Sequence, residues 1–251
     1  MQIIRYQDPQ GAVHFGSQKS DNSAVRCTGS LYAGLHETNE PAQIAKLLAP
    51  FEPSQILCIG LNYRHHAEES GMKAPERPVL FTKGINTVQN PGDPIEIHVR
   101  AASQEVDYEC ELAVVIGKPC KNVSAAEALK YVLGYTCAND VSARDWQLKW
   151  GGGQWCRGKT FDTFSPLGPC LVTTDEITDP QTLGIRTILN GETVQDWNTD
   201  DMIFSVAQII EFLSASNTLP PGTVILTGTP HGVGMASKPP RWLKPDRKST
   251  R

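Results

Sequence analysis

The stretch Val106-Asp-Tyr-Glu-Cys-Glu-Leu-Ala-Val-Val-Ile116 begins by alternating apolar and acidic side chains with a period of two, the period of a β-strand and not of a helix. It predicts Val106, Tyr108, Cys110 and Leu112 on one face and Asp107, Glu109 and Glu111 on the other. Carboxylates at i and i+2 stand roughly 6 to 7 Å apart at the backbone, near enough to converge on one hard cation. Buried without a divalent ion or a base beside them, they would repel, and one pKa would rise strongly. The competing reading is a half-exposed strand whose outer face is acidic.

A third carboxylate favours the site. Asp140 follows the strand-like run 132–139 and precedes a polar segment, where side chains are presented at the mouth of a site. Two Glu and one Asp make an all-oxygen ligand set that suits Mg²⁺ or Mn²⁺. The chain has no HExxH and no paired Cys/His set at zinc spacing. Between Asn62 and Gly71, the sequence reads as a short helical turn closed by the glycine. His66 and Glu69 share a side of it, so the carboxylate can hold the imidazole as a general base. The competing reading is a solvated helix with an incidental i,i+3 pair.

Residues 153–160 satisfy the phosphate-loop pattern GxxxxGK[ST] and raise a nucleotide-hydrolase alternative. Its context is wrong: no hydrophobic strand precedes it, and Pro166 and Pro169 forbid a long helix after it. Lys159 remains a candidate for neutralising a carboxylate or a developing enolate.

Outward from this centre the texture is β-rich. Residues 1–52 read as a small unit with two strands, a turn and a helix that begins near Pro41, carries Ile44, Leu47 and Leu48 on one side and stops at Pro50. Residues 53–251 read as the catalytic domain, with short apolar runs, among them one at 94–98, punctuated by Pro, Gly and Asn. Two helices interrupt them. One opens with a capping box at Ser124 and Glu127, and the other runs from about Asp201 to Leu213. The fold class expected is α+β, predominantly β, with mostly antiparallel sheets.

The chain has 251 residues, 39% apolar and 20% charged, with a formal net charge of −4, which excludes a disordered or strongly basic, nucleic-acid-binding protein. No run reaches the length of a membrane span. Seven scattered cysteines with no CxxC pair point to a reducing compartment, and the start of the chain to a cytoplasmic location, with a mitochondrial one as alternative.

Taken together, the segments IGLNYRHHAEE (59–69), PVLFTKG (78–84), VDYECELAVVIGK (106–118), YTCANDVSARDWQ (135–147), RGKTFDTFSPLGP (157–169), LNGETVQD (189–196) and LTGTPHGVG (226–234) resemble the fumarylacetoacetate hydrolase superfamily. The resemblance implies a mixed β-roll or sandwich with few helices, usually as a homodimer. It assigns Glu109, Glu111 and Asp140 to Mg²⁺ or Mn²⁺, and His66, Glu69 and Lys159 to catalysis. Arg144, Gln147 and Thr229 fall on segments that line the family's substrate pocket. The implied activity is hydrolysis of a C–C bond in a small 2-oxo acid of the acylpyruvate type, or a related decarboxylation or isomerisation through an enolate. A non-catalytic paralogue with the same fold is the alternative. Relatives continue past the equivalent of Trp242–Pro245 with further strands, so the resemblance also implies an exposed strand edge and reduced stability here.

Overall fold

The structure is a computed structural model that describes residues 1–97, 100, 102–244 and 249–250. One sheet of eleven strands organises it. In spatial order its path runs Gly34–Pro41, Ala24–Ser30, Val13–Gln18, Gln2–Gln7, Leu171–Thr173, Val132–Asn139, Cys110–Ile116, Thr223–Leu226, Gln55–Gly60 and Val79–Lys83. Lys46–Leu48 joins beside this path on Gln2–Gln7. The pairing is antiparallel except between Thr223–Leu226 and Gln55–Gly60, which run parallel. Glu192–Asn198, Gly184–Leu189 and Ser249–Thr250 form a smaller sheet. The expected class, α+β and predominantly β with few helices, is what the chain adopts.

Cys110–Ile116 lies near the middle of the path and is buried along its whole length. Leu112, Val114 and Ile116 pack on one side with Ile209, Ile210 and Leu213 of the helix Val206–Ser214. Ala113 and Val115 pack on the other with Phe51, Ile56, Leu171 and Leu226. Each large side chain so buried contributes roughly 1.5–3 kcal/mol, and this two-sided core fixes the strand that carries Glu111. The same core reaches the first fifty residues. Gln2 and Ile3 pair with Val172 and Leu171, and Ile3, Ala49 and Phe51 belong to the cluster that holds Leu226.

Several local expectations give way to tertiary context. The helix expected between Pro41 and Pro50 is absent. Lys46–Leu48 is a strand on Arg5–Gln7, and the amide of Ala45 donates to the Gln7 carbonyl. Three large aliphatic side chains in ten residues cannot stabilise so short a helix against the hydrogen bonds offered by that strand edge. Ser124 makes no side-chain cap. The helix there is only Ala125–Ala128, and Glu211 of a neighbouring helix accepts the Ala125 amide at 3.0 Å. The later helix begins at Val206, where Ser205 and Gln208 form the capping box, while Asp201 sits in the preceding turn capped by Asn198. Residues 95–97, expected in a strand, are irregular, and His98 lies outside the described residues.

Candidate active site

The register of two strands brings the acidic triad together. Cys110 faces Asn139 and Glu111 faces Ala138, so the next step outward sets Glu109 against Asp140. The Asp140 amide donates to the Glu109 carbonyl at 2.9 Å, and the Glu109 amide to Asn139 Oδ1 at 3.0 Å. The ladder lapses between Val106–Asp107 and Cys110–Ile116, and Asp107 does not join the convergence of Glu109, Glu111 and Asp140, although Arg144 links it to Glu109. Its carboxylate accepts the amides of Tyr108, Gly234 and Met235. Glu109, Glu111 and Asp140 are 5%, 2% and 0% exposed, and one carboxylate oxygen from each lies within 4.8 Å of the others. The half-exposed acidic strand is thereby excluded.

Three buried cations answer these acids. Lys159 Nζ bridges Glu109 Oε2 at 2.8 Å and Asp140 Oδ2 at 2.7 Å. Lys83 Nζ donates to the other Asp140 oxygen at 2.6 Å and to the Val141 carbonyl at 3.1 Å. Arg144 Nη2 lies 2.7 Å from Glu109 Oε1 and 2.9 Å from Asp107 Oδ2. Burial alone would push Glu109 up, but Lys159 and Arg144 hold its carboxyl far below the usual range. Burial likewise works against the charge on Lys159, yet Asp140 and Glu109 raise its pKa, so it stays an ammonium. Glu111 goes the other way. Burial first, then the charges of Asp140 and Glu109, push it well above the usual range, and its carboxyl oxygen Oε2 accepts the Gly228 amide at 2.7 Å.

This donor set fits a divalent cation. It is all oxygen, converges on one point, and leaves one acid uncompensated: among the described residues, Asp107, Glu109, Glu111 and Asp140 are met by the three cations Lys83, Arg144 and Lys159. With all four acids ionised the net charge is about −1, and a doubly charged ion would turn it into +1, the sign that receives a substrate carboxylate.

The His66 and Glu69 pair expected from spacing also forms. His66 and Glu69 lie on the helix Arg64–Glu69, which Gly71, at φ +65°, follows. His66 Nδ1 is 3.3 Å from Glu69 Oε2, and the Gly232 amide donates to both Glu69 oxygens at 2.9 and 3.1 Å. Burial pushes the Glu69 carboxyl up, but the bonds from His66 and Gly232 outweigh it and hold the group below its usual range. Buried Asn62 anchors the helix entry. Its amide donates to the carbonyls of Thr227 and Phe204, and its Oδ1 accepts the Phe204 amide.

His66, Glu109, Glu111, Arg144, Gln147, Lys159 and Thr229 line one cavity of about 230 Å³. Glu69 and Asp140 stand behind that lining. Gln147 accepts from Arg144 at 3.0 Å, and the Thr229 hydroxyl donates to the Cys110 carbonyl while accepting from Gln195, so both present side chains fixed by protein partners. The phosphate-loop alternative fails here. Lys159 ends a single helical turn, Cys156–Lys159, with no strand ahead of it, and its charge is spent on carboxylates. Sequence reasoning passed over Lys83, although its place two residues after Phe81 in a strand marked the inward face.

Residues 55–247 match the family described as Fumarylacetoacetate (FAA) hydrolase C-terminal. The mitochondrial oxaloacetate tautomerase of Xenopus laevis is 53% identical over 79% of this chain and 62% of its own length. The human mitochondrial oxaloacetate tautomerase FAHD2A is 48% identical over 81% of this chain and 65% of its own, so the chain spans under two thirds of both relatives. A fumarylacetoacetate hydrolase from Exiguobacterium antarcticum superposes with a TM-score of 0.88 at 34% identity, covering 99% of this chain and 94% of that one. A 2-hydroxyhepta-2,4-diene-1,7-dioate isomerase from Mycobacterium marinum gives 0.81 at 41% identity, with 93% and 89% covered. No helix among the described residues is long and apolar enough to cross a membrane. With its triad, its dyad and its sheet in this arrangement, the chain belongs to the fumarylacetoacetate hydrolase family.

Proposed function

We propose that this chain is a divalent-cation-dependent enzyme that moves a proton between the keto and enol forms of a small 2-oxo acid. The observation that carries the reading is the convergence on one cavity of the Glu109, Glu111, Asp140 triad and the His66–Glu69 dyad. Mg²⁺ or Mn²⁺ held by Glu109, Glu111 and Asp140 would anchor the substrate head and supply Lewis acidity.

The chain's own groups supply the proton transfer. Glu69, itself clamped by the Gly232 amide, accepts the proton on His66 Nδ1 and so leaves Nε2 as the basic nitrogen. In the keto-to-enol direction the C3–H bond breaks and its proton passes to His66 Nε2. The electron pair becomes the C2–C3 double bond, and a proton returned to the carbonyl oxygen completes the enol. Lys159 stays charged, so it offsets negative charge developing on that oxygen and does not act as the base. Catalysis by one positioned acid–base group contributes about 10²- to 10⁴-fold.

The test follows the enol absorbance of oxaloacetate with Mn²⁺, corrected for the protein-free rate, beside consumption of an acylpyruvate. Accelerated enol decay that is lost in Glu111→Ala supports the reading. Acylpyruvate cleavage without tautomerisation would replace it with C–C hydrolysis, with the same dyad activating water. Calorimetric Mn²⁺ binding with neither reaction would leave the non-catalytic paralogue.

A further inference from the structure

The helix Arg64–Glu69 cannot hold its own position. Its six residues close fewer than two turns, too few to persist unaided, and Tyr63 at its N-cap supplies no side-chain bond to the orphan amides of the first turn. The dyad bond is a loose one, 3.3 Å from His66 Nδ1 to Glu69 Oε2. The aim of the His66 imidazole into the cavity therefore depends on what fixes the helix from outside.

Asp201 supplies the missing cap from 136 residues along the chain. Its Oδ2 accepts the backbone amide of His65 at 3.2 Å, and its Oδ1 lies 2.9 Å from Nδ1 of the same residue's ring. One carboxylate, 7% exposed, thus grips both the main chain and the side chain of the residue before His66. The segment that carries it is tied to the helix entry as well: Tyr63 and Met202 form a β-bridge, and the Ile203 amide donates to the Asn62 carbonyl at 2.7 Å. The gripped ring of His65 packs edge-on against Trp197, centroids 4.7 Å apart, and Trp197 packs in the same way with His231 at 4.7 Å. His231 precedes Gly232, whose amide holds Glu69. One connected frame therefore orients both members of the dyad, through His65 at one end and Gly232 at the other. Asp201, His65, Trp197 and His231 all stand outside the lining of the cavity.

We infer that Asp201 is the positioning residue of the proposed general base, acting on His66 through the two His65 contacts that fix the first turn of its helix. The inference rests on the proposed role of His66, so the placement is read twice, once in turnover and once without it. Asp201→Ala, which removes both contacts, should lower kcat for oxaloacetate tautomerisation by roughly 10- to 100-fold, the scale of a misplacement of about 1 Å, with KM and calorimetric Mn²⁺ affinity unchanged. Asp201→Asn should return most of that loss, because its carbonyl oxygen still accepts the His65 amide and its NH₂ donates to the ring in the other tautomer. In a His66→Ala background, Asp201→Ala should change kcat no further. Apart from turnover, peptide mapping after treatment with diethyl pyrocarbonate should show His66, 7% exposed in the native chain, acylated roughly tenfold faster in Asp201→Ala, while His14 in the strand Val13–Gln18 keeps its native rate. Should Asp201→Ala fail to fold, His65→Ala, which removes the ring contact alone, should move both readouts in the same directions. A loss of kcat that persists in the His66→Ala background, an equal fall in Mn²⁺ affinity, or unchanged labelling of His66 overturns the inference. Faster labelling of His66 in a chain whose native form tautomerises nothing overturns the proposed reaction and leaves the positioning role standing.

Discussion

Lys159→Met tests the electrostatic core of the site, because methionine keeps most of the volume and removes only the ammonium. In the native chain that ammonium lies 2.8 Å from Glu109 and 2.7 Å from Asp140, and is 2% exposed. Breaking a buried pair costs about 3–5 kcal/mol. Here Arg144 still holds the other oxygen of Glu109 and Lys83 the other oxygen of Asp140, so the lower end applies, about 3 kcal/mol. For a chain of this size that is a fall in melting temperature of roughly 6–12 °C in chelator. The same change removes one positive charge from the cluster, so affinity for Mn²⁺ should rise, by tenfold for each ~1.4 kcal/mol gained. Proton transfer should meanwhile slow by about 10²- to 10³-fold, since the group facing the developing oxyanion is gone. Melts in chelator, Mn²⁺ calorimetry and enol decay read the three effects separately. A destabilisation under about 1 kcal/mol, or Mn²⁺ binding that weakens, would refute the bridge between Glu109 and Asp140 as the feature that sets the charge of this site.

The raised pKa of Glu111 gives a signed dependence on pH. The folded chain keeps a proton that the unfolded chain has released above about pH 4.5, so metal-free stability should fall as pH rises above that value. The depressed Glu109 acts below that window. Mn²⁺ or Glu111→Gln should flatten the slope, and chelated wild-type protein with no slope would sink the assignment. Gly232→Ala places a Cβ 2.3 Å from the Val194 carbonyl oxygen at a φ of +95°. It should cost roughly 1–3 kcal/mol in a melt and lower kcat by releasing Glu69, while calorimetric Mn²⁺ affinity holds. Asn62→Ala removes three hydrogen bonds and strands buried carbonyls, so urea titration should show a loss of about 2–4 kcal/mol; a loss under ~1 kcal/mol would mean the helix entry is held elsewhere.

Much of the site could be read locally, because its parts repeat at the spacing of one element. Glu109 and Glu111 are i, i+2 on a strand, His66 and Glu69 are i, i+3 on a helix, and both pairs meet as those periods require. Non-local pairing was harder to read. Asp140 reaches Glu109 only because Cys110 pairs with Asn139, a register that no property of either segment alone dictates. Lys83 reaches Asp140 from the edge strand Val79–Lys83, four positions along the sheet path from Val132–Asn139. Asp107 shared the alternation of the two glutamates but left their company, because the ladder lapses at Tyr108 and three backbone amides gather its carboxylate. The segment 41–50 misled for a related reason. Its apolar residues satisfy a helix or a strand, and the open edge of Gln2–Gln7 decided between them.

Charge explains why these residues occur together better than geometry alone. A buried strand bearing two glutamates is unstable by itself, since desolvation and mutual repulsion both oppose ionisation. Lys159 and Arg144 relieve Glu109, and Lys83 and Lys159 relieve Asp140, which leaves Glu111 as the acid of the triad without an ion pair among the described residues. The deficit is confined to one position, on the cavity that His66 also lines. Had the cations matched the acids in number, the cluster would be a structural network with little affinity for a divalent ion. Had they been fewer, two acids would be protonated and the strand would lose the ion pairs that hold it. One unmatched carboxylate is the condition under which the chain could fold without the proposed ion and still bind it, and so the position of Glu111 ties the stability of the sheet to the chemistry proposed for the cavity.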